Sequence, residues 1–170
     1  IRGSGFGRNR YERNRILEQI RQDTFMDYLK RAVELSQISF DAGEFPAGAV
    51  LVSKNGNVYE SSPSLPYNHG EMMVMDMAIA AEGAPLTGAK IYASMEPCLM
   101  CASKIYWSGV ESVEYVIPKE SVTAEYAYEN AEVIKKATAG FFRPIPMTNI
   151  PDSLAEALEV YRGWERKIQG

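Results

Sequence analysis

The chain is poor in the residues that most often carry out chemistry. Its 170 residues include one histidine and two cysteines. Two cysteines cannot build the disulfide framework of a small secreted scaffold. A chain of this length buries roughly 70% of its extended surface on folding and needs no such staples. No apolar run approaches the roughly 18 residues of a membrane span, and no signal-peptide pattern opens the chain. Positive charge is not in excess either. The net charge is -4 with a pI near 5.2, which argues against a dedicated phosphate-backbone binder. What is present is the balance of one globular domain, 46% hydrophobic and 24% charged. Whether the three scarce residues belong together decides what the chain can do.

Residues 1–22 read as a basic arm and 23–170 as a single domain. Arg2, Arg8, Arg10, Arg13, Arg15 and Arg21 oppose Glu12, Glu18 and Asp23, a local balance of +3 that leaves -7 on the remainder. Residues 1–4 begin without Met and read as an appended segment outside the fold. A helix is expected from Asp23 or Thr24 through Phe40, ended by Gly43. The apolar run 47–52 suits a strand buried on both faces, and Asn55-Gly56 signals a hairpin into Val58-Tyr59. A proline-containing loop then leads to His69. A Met-rich helix to Glu82, a strand over 90–94, a helix over 98–108 and a strand over 112–117 follow. Alternating strand and helix after one antiparallel hairpin predicts an α/β fold, a three-layer sandwich with a mixed, mostly parallel central sheet. A helix over 126–137, an extended connector over 141–151, and a last helix opened by the capping box Ser153-Leu154-Ala155-Glu156 complete the chain.

The histidine is followed two residues later by an acid, in His69-Gly70-Glu71, where a loop gives way to a helix. Pro97-Cys98-Leu99-Met100-Cys101 stands at the next strand-to-helix junction. Such junctions at the carboxyl ends of strands are where open α/β sheets place ligands. Cysteines three apart in a first helical turn share a face, and the positive helix end favours thiolate. One imidazole and two thiolates suit Zn²⁺, and three protein ligands leave a position for water, as catalytic zinc requires. Glu71 is then the natural proton carrier. Taken singly, these residues have plainer readings: a redox C-x-x-C pair, a capping histidine, an acid favoured by the helix dipole. Their convergence on two adjacent junctions favours the metal.

H-x-E followed by P-C-x-x-C is the signature of the zinc nucleobase deaminases, and the chain resembles that superfamily from about Phe25 to Trp164. The stretch 43–52 resembles the first strand of the branch holding tRNA adenosine, guanine and fungal cytosine deaminases. Glu96 to Cys101, Ile105-Tyr106-Trp107 and the tail from Glu156 to Lys167 are most similar to guanine deaminases. The resemblance implies one Zn²⁺ per subunit held by His69, Cys98 and Cys101. It implies hydrolytic deamination of a base or nucleoside by zinc-activated water, with Glu71 shuttling the proton. Backbone groups of Ala49 and Cys98 are expected to meet substrate and oxyanion, and Trp107 to line the pocket. A homodimer is also implied, with 141–170 exchanged between subunits, and free thiols favour the cytosol.

Three features depart from the family. Gly70 stands where guanine and adenosine deaminases usually have Ala. The family places a substrate-binding Asn after its second strand, but Glu60-Ser61-Ser62-Pro63 occupies that region here, with Asn68 the nearest amide. The chain also ends Ile168-Gln169-Gly170, without the aromatic that closes a partner's pocket in guanine deaminases. The expected substrate is therefore a small amino-heterocycle, guanine-like before pyrimidine-like. Alternatives are a cytosine or cytidine deaminase, a tRNA or DNA deaminase using the arginine arm, and a zinc-stabilised binding domain without catalysis.

Overall fold

The computed structural model describes residues 6–61, 63–123 and 129–169. It is a three-layer α/β sandwich. Strands β1 (Ala49–Val52), β2 (Val58–Glu60), β3 (Lys90–Met95), β4 (Ser112–Ile117) and β5 (Met147–Asn149) form one sheet in the order β2-β1-β3-β4-β5. β1 pairs antiparallel with both neighbours, while β3, β4 and β5 are mutually parallel. The crossover leaving β2 thus carries the chain over β1 to its far side. The three-residue hairpin loop Lys54-Asn55-Gly56 relies on Gly56 at φ +85.

Helices α2 (Gly70–Glu82) and α3 (Leu99–Ser108) cover one face of the sheet. Leu51, Val74, Met75, Ile91, Ile105 and Val113 are buried there. Helices α1 (Phe6–Asp41) and α5 (Leu154–Gln169) cover the other, around Leu29, Val50, Tyr92, Val116 and Tyr161. Alternation along β1 explains the division, since Ala49 and Leu51 face one layer and Val50 the other. Gly48 brings α1 against the sheet: a Cβ there would lie 2.3 Å from the Ala32 carbonyl oxygen.

Three elements differ from the sequence reading. The first helix does not begin at Asp23. It runs unbroken from Phe6 because no glycine or proline interrupts 8–42, and Glu12 to Gln19 are exposed along it. Its end matches a Schellman cap, with Glu44 N–H donating to Ser39 O at 3.0 Å and Gly43 N–H to Phe40 O at 2.9 Å. The connector contains β5, a short polar edge strand that pairs with β4 through its backbone. The helix expected over 126–137 is α4 (Ala131–Thr138), capped by Asn130, whose side chain accepts the Val133 N–H at 3.0 Å. Its expected start at Tyr126 lies outside the described residues. No described helix is long and apolar enough to cross a membrane.

Candidate metal and catalytic site

His69 and Cys98 occupy equivalent places. Each is the residue just before a helix, α2 and α3 respectively, with nearly the same extended backbone: φ -69, ψ 162 for His69 and φ -72, ψ 171 for Cys98. The two helices lie side by side on one face, so their starts converge. Cys98 Sγ is 3.3 Å and Cys101 Sγ 3.5 Å from His69 Nδ1, and the two sulfurs are 3.4 Å apart. That separation is far beyond the roughly 2.05 Å of a disulfide. Tetrahedral zinc, with bonds of about 2.3 Å to sulfur and about 2.0 Å to nitrogen, sets edges of about 3.5–3.8 Å. The three donors therefore already form one face of a zinc tetrahedron, needing shifts of only a few tenths of an ångström.

Electrostatics prepare the site for a cation. The Cys98 sulfur accepts the Cys101 backbone N–H at 3.4 Å and lies against the Cys101 sulfur and His69. These contacts pull the Cys98 thiol well below its usual range despite burial. Cys101, paired with that sulfur and buried, is pushed up. His69 is raised, first by its contact with Cys98, and the Pro66 carbonyl also favours the charged ring.

Glu71, in the first turn of α2, is 6% exposed. Burial raises its carboxyl above the ordinary range, with the Cys98 charge adding to the shift. It stands outside the ligand cluster but lines the same cavity as His69 and Cys98, with Phe45, Ala47, Met95, Glu96, Ile117, Lys119 and Val122.

The other expected substrate contacts fall elsewhere. Trp107 follows Cys98 by nine residues, about two and a half helical turns, and so faces away from the metal side of α3. It is 82% exposed and packs edge-on against Tyr106. The Ala49 N–H donates to Ser61 Oγ and the Ala49 carbonyl accepts the Ser61 N–H, both at 3.0 Å. Its backbone is thus satisfied within the fold, and Ala47 lines the cavity instead. Asn68 is half-buried, bonded through its backbone to Leu65 at 3.1 and 3.2 Å, and is not among the cavity residues.

Ser61 also accounts for Gly70. A Cβ on Gly70 would lie 3.1 Å from Ser61 Oγ, so an alanine there would require Ser61 to give by a few tenths of an ångström. Lys119 and Glu129 carry no motif, and Glu96, though it opens the family-like stretch to Cys101, was not read from the sequence as a site residue. The available signal was position, because Glu96 and Lys119 follow the carboxyl ends of adjacent parallel strands.

Three soft donors closing on one point, with no fourth protein ligand among the described residues, define a metal centre of the kind that keeps a coordination position open to water. Residues 22–117 match the cytidine and deoxycytidylate deaminase zinc-binding region, and the chain belongs to that family. It is 38% identical over 95 residues to the tRNA-specific adenosine deaminase of Bacillus subtilis, covering 52% of this chain and 58% of that protein. It is 31% identical over 100 residues to the probable cytosine deaminase of Schizosaccharomyces pombe, covering 56% of this chain and 61% of that protein. The chain thus spans about six-tenths of the length of these two relatives. Guanine deaminase of Bacillus subtilis is 30% identical over 145 residues, covering 81% of this chain and 91% of that protein. The fold is shared with the structure of guanine deaminase from Nitrosomonas europaea, at a TM-score of 0.63 and 20% identity, covering 82% of this chain and 83% of that one.

Proposed function

We propose that the protein is a zinc-dependent hydrolytic deaminase of a small amino-substituted base, with a guanine-like purine as the first substrate class. The observation that carries this reading is Glu71, a buried carboxyl beside a three-ligand metal cluster and lining the same cavity. A cluster serving stability alone has no use for a buried acid next to its ligands. The guanine-like preference is supported by the relative matched over nearly its full length, a guanine deaminase.

His69, Cys98 and Cys101 hold the metal. Bound zinc supplies the Lewis acidity that makes water a nucleophile near neutral pH. Glu71 accepts one proton of the attacking water and delivers it to the adjacent ring nitrogen, then takes the second from the hydroxyl now on the ring carbon and gives it to the departing amine. The products are the ring oxo compound and ammonia. Its raised carboxyl suits both halves of that shuttle, since an acid-base group works best with its pKa near the working pH. To the Cys98 backbone N–H, beside the positive end of α3, we assign the stabilisation of negative charge on the attacked carbon's oxygen.

The test is ammonia release by zinc-loaded protein from guanine, cytosine, adenine and their nucleosides. Release from guanine supports the reading, and release from none of them overturns it. A polynucleotide substrate is the second reading, favoured by exposed Arg13 and Arg15 on α1. It requires binding that weakens steeply with salt. The proposal includes a cytosolic homodimer, supported by the outward Trp107 and Met100 of α3. Trp107→Glu should then halve the mass measured by light scattering.

A further inference from the structure

The amino-terminal ends of the parallel strands border a groove of their own, at the end of the sheet away from the metal cluster. Val52 at the end of β1 and Ser112 at the start of β4 both stand opposite Lys90 at the start of β3, so the turns beside them meet there. The groove has a volume of about 810 Å³, within the roughly 300–1,000 Å³ of small-molecule sites. The six residues of β3 separate it from the cysteines, a span of about 20 Å.

Its charge is opposite to that of the body around it. Residues after 23 sum to -7, yet Lys54, Lys90 and Arg143 line the groove against one carboxylate, Glu111. Arg143 is fixed by the Tyr106 and Val110 carbonyls. The Lys54 stem lies across Gly88, at φ +82, where a Cβ would come within 3.1 Å of it. Neither lysine ammonium is engaged in an ion pair or hydrogen bond among the described residues. Lys90 lowers the half-buried Glu114 carboxyl, but burial dominates there and raises it. Beside these cations, Val52, Pro85 and Tyr92 supply apolar surface.

Two unpaired ammonium groups next to a fixed guanidinium suit an anion, and three cations along one groove match a chain of phosphates better than a single one. The apolar surface suits a ring attached to that chain. We propose that this groove is a second binding site, for a nucleoside triphosphate, with Lys54 and Lys90 on the phosphates and the base against Val52 and Pro85. It shares no lining residue with the metal cavity, so the proposal stands apart from the deaminase reading.

Zinc-loaded protein is titrated calorimetrically with ATP, adenosine, inorganic tripolyphosphate and a single-stranded oligonucleotide. ATP should bind with a Kd below about 1 mM, and adenosine and tripolyphosphate about 10-fold more weakly. Lys54→Gln combined with Lys90→Gln should weaken ATP by about 10- to 100-fold. Lys136→Gln, on α4 and outside the groove, should leave it within about 2-fold. Glu111→Gln should tighten ATP by about 2- to 5-fold, a gain that misfolding cannot produce. Zinc content, melting temperature and ammonia release from guanine should match wild type in all of these variants. A wild type that does not bind ATP, an unchanged affinity in the double variant, or an equal loss in Lys136→Gln overturns the proposal. Tripolyphosphate bound as tightly as ATP overturns the assignment to a nucleotide. An oligonucleotide that binds more tightly than ATP and is weakened by the same pair also overturns it, in favour of a polynucleotide. Ammonia release from none of the bases overturns the deaminase reading and leaves this one standing.

Discussion

Helices α2 and α3 start alike and end differently. Both are preceded by a metal ligand in extended backbone conformation, but only Cys98 also accepts from its own helix, through the Cys101 N–H. His69 makes no side-chain cap, so its ring is committed to the sulfurs. At the far ends the roles of charge reverse. Arg143 donates to the Tyr106 and Val110 carbonyls at the end of α3, at 2.9 and 2.8 Å, where a cation suits the helix dipole. The last residue of α2 is Glu82, whose sign opposes the dipole. It is held by donors from the β1–β2 hairpin: Tyr59 hydroxyl at 2.7 Å, Asn55 at 2.9 Å and Asn57 at 3.0 Å. The starts therefore share one task, holding the metal. The ends are anchored separately, one to the segment before β5 and the other to the hairpin.

Substitutions at the starts should cost function, and those at the ends stability. The largest effect is expected from Cys98→Ser, which replaces the thiolate that also accepts from α3. Zinc affinity, measured by competition with a chelator, should fall by more than about 100-fold, beyond the loss expected for a group that only supports a ligand. Retained affinity would mean that the two starts do not share one ion.

Arg143→Ala comes next. It leaves two carbonyls at the end of α3 without their charged donor and should cost about 2 kcal/mol. A melting-temperature drop of roughly 4–8 °C follows for a domain of this size, with zinc content unchanged. Loss of zinc in this variant would show that the two ends of α3 are coupled.

Glu82→Gln should have the smallest effect, and a dependence on pH. Hydrogen bonds, first from Tyr59, hold the Glu82 carboxyl down at about 2, below the usual 4.5. Its contribution is therefore fully present above pH 4.5 and is lost as pH falls through about 2. Melting of wild type and variant should differ above pH 4.5 and converge near pH 2. A difference that grows toward acid would contradict the hairpin clasp.

The helix starts were legible because their residues are scarce and their spacing is local. His69, Cys98 and Cys101 leave few ways to be used, and a first helical turn puts 98 and 101 on one face. The strand 112–117 was readable for a related reason, as a β-branched run bounded by Gly109 and Pro118. β5 was not, since Met147-Thr148-Asn149 is short, polar and flanked by proline, and becomes a strand only through the backbone of β4. The polar wall of the cavity was also hidden. Lys119 acquires meaning from Glu129 and Glu96, which stand 10 and 23 residues away, and no local pattern joins them. Trp107 lies outside the cavity of this chain, because the same turns that bring Cys98 and Cys101 inward carry it outward.

The central claim is that a metal ion and a buried acid divide one reaction between them. It is tested most directly by measuring zinc content and ammonia release together for wild type and Glu71→Gln. The account predicts one zinc per chain in both proteins, with release from guanine reduced about 10²- to 10⁴-fold in the variant, the range for loss of a general acid-base group. Undiminished release from Glu71→Gln, or release from a wild type that carries no zinc, would contradict it.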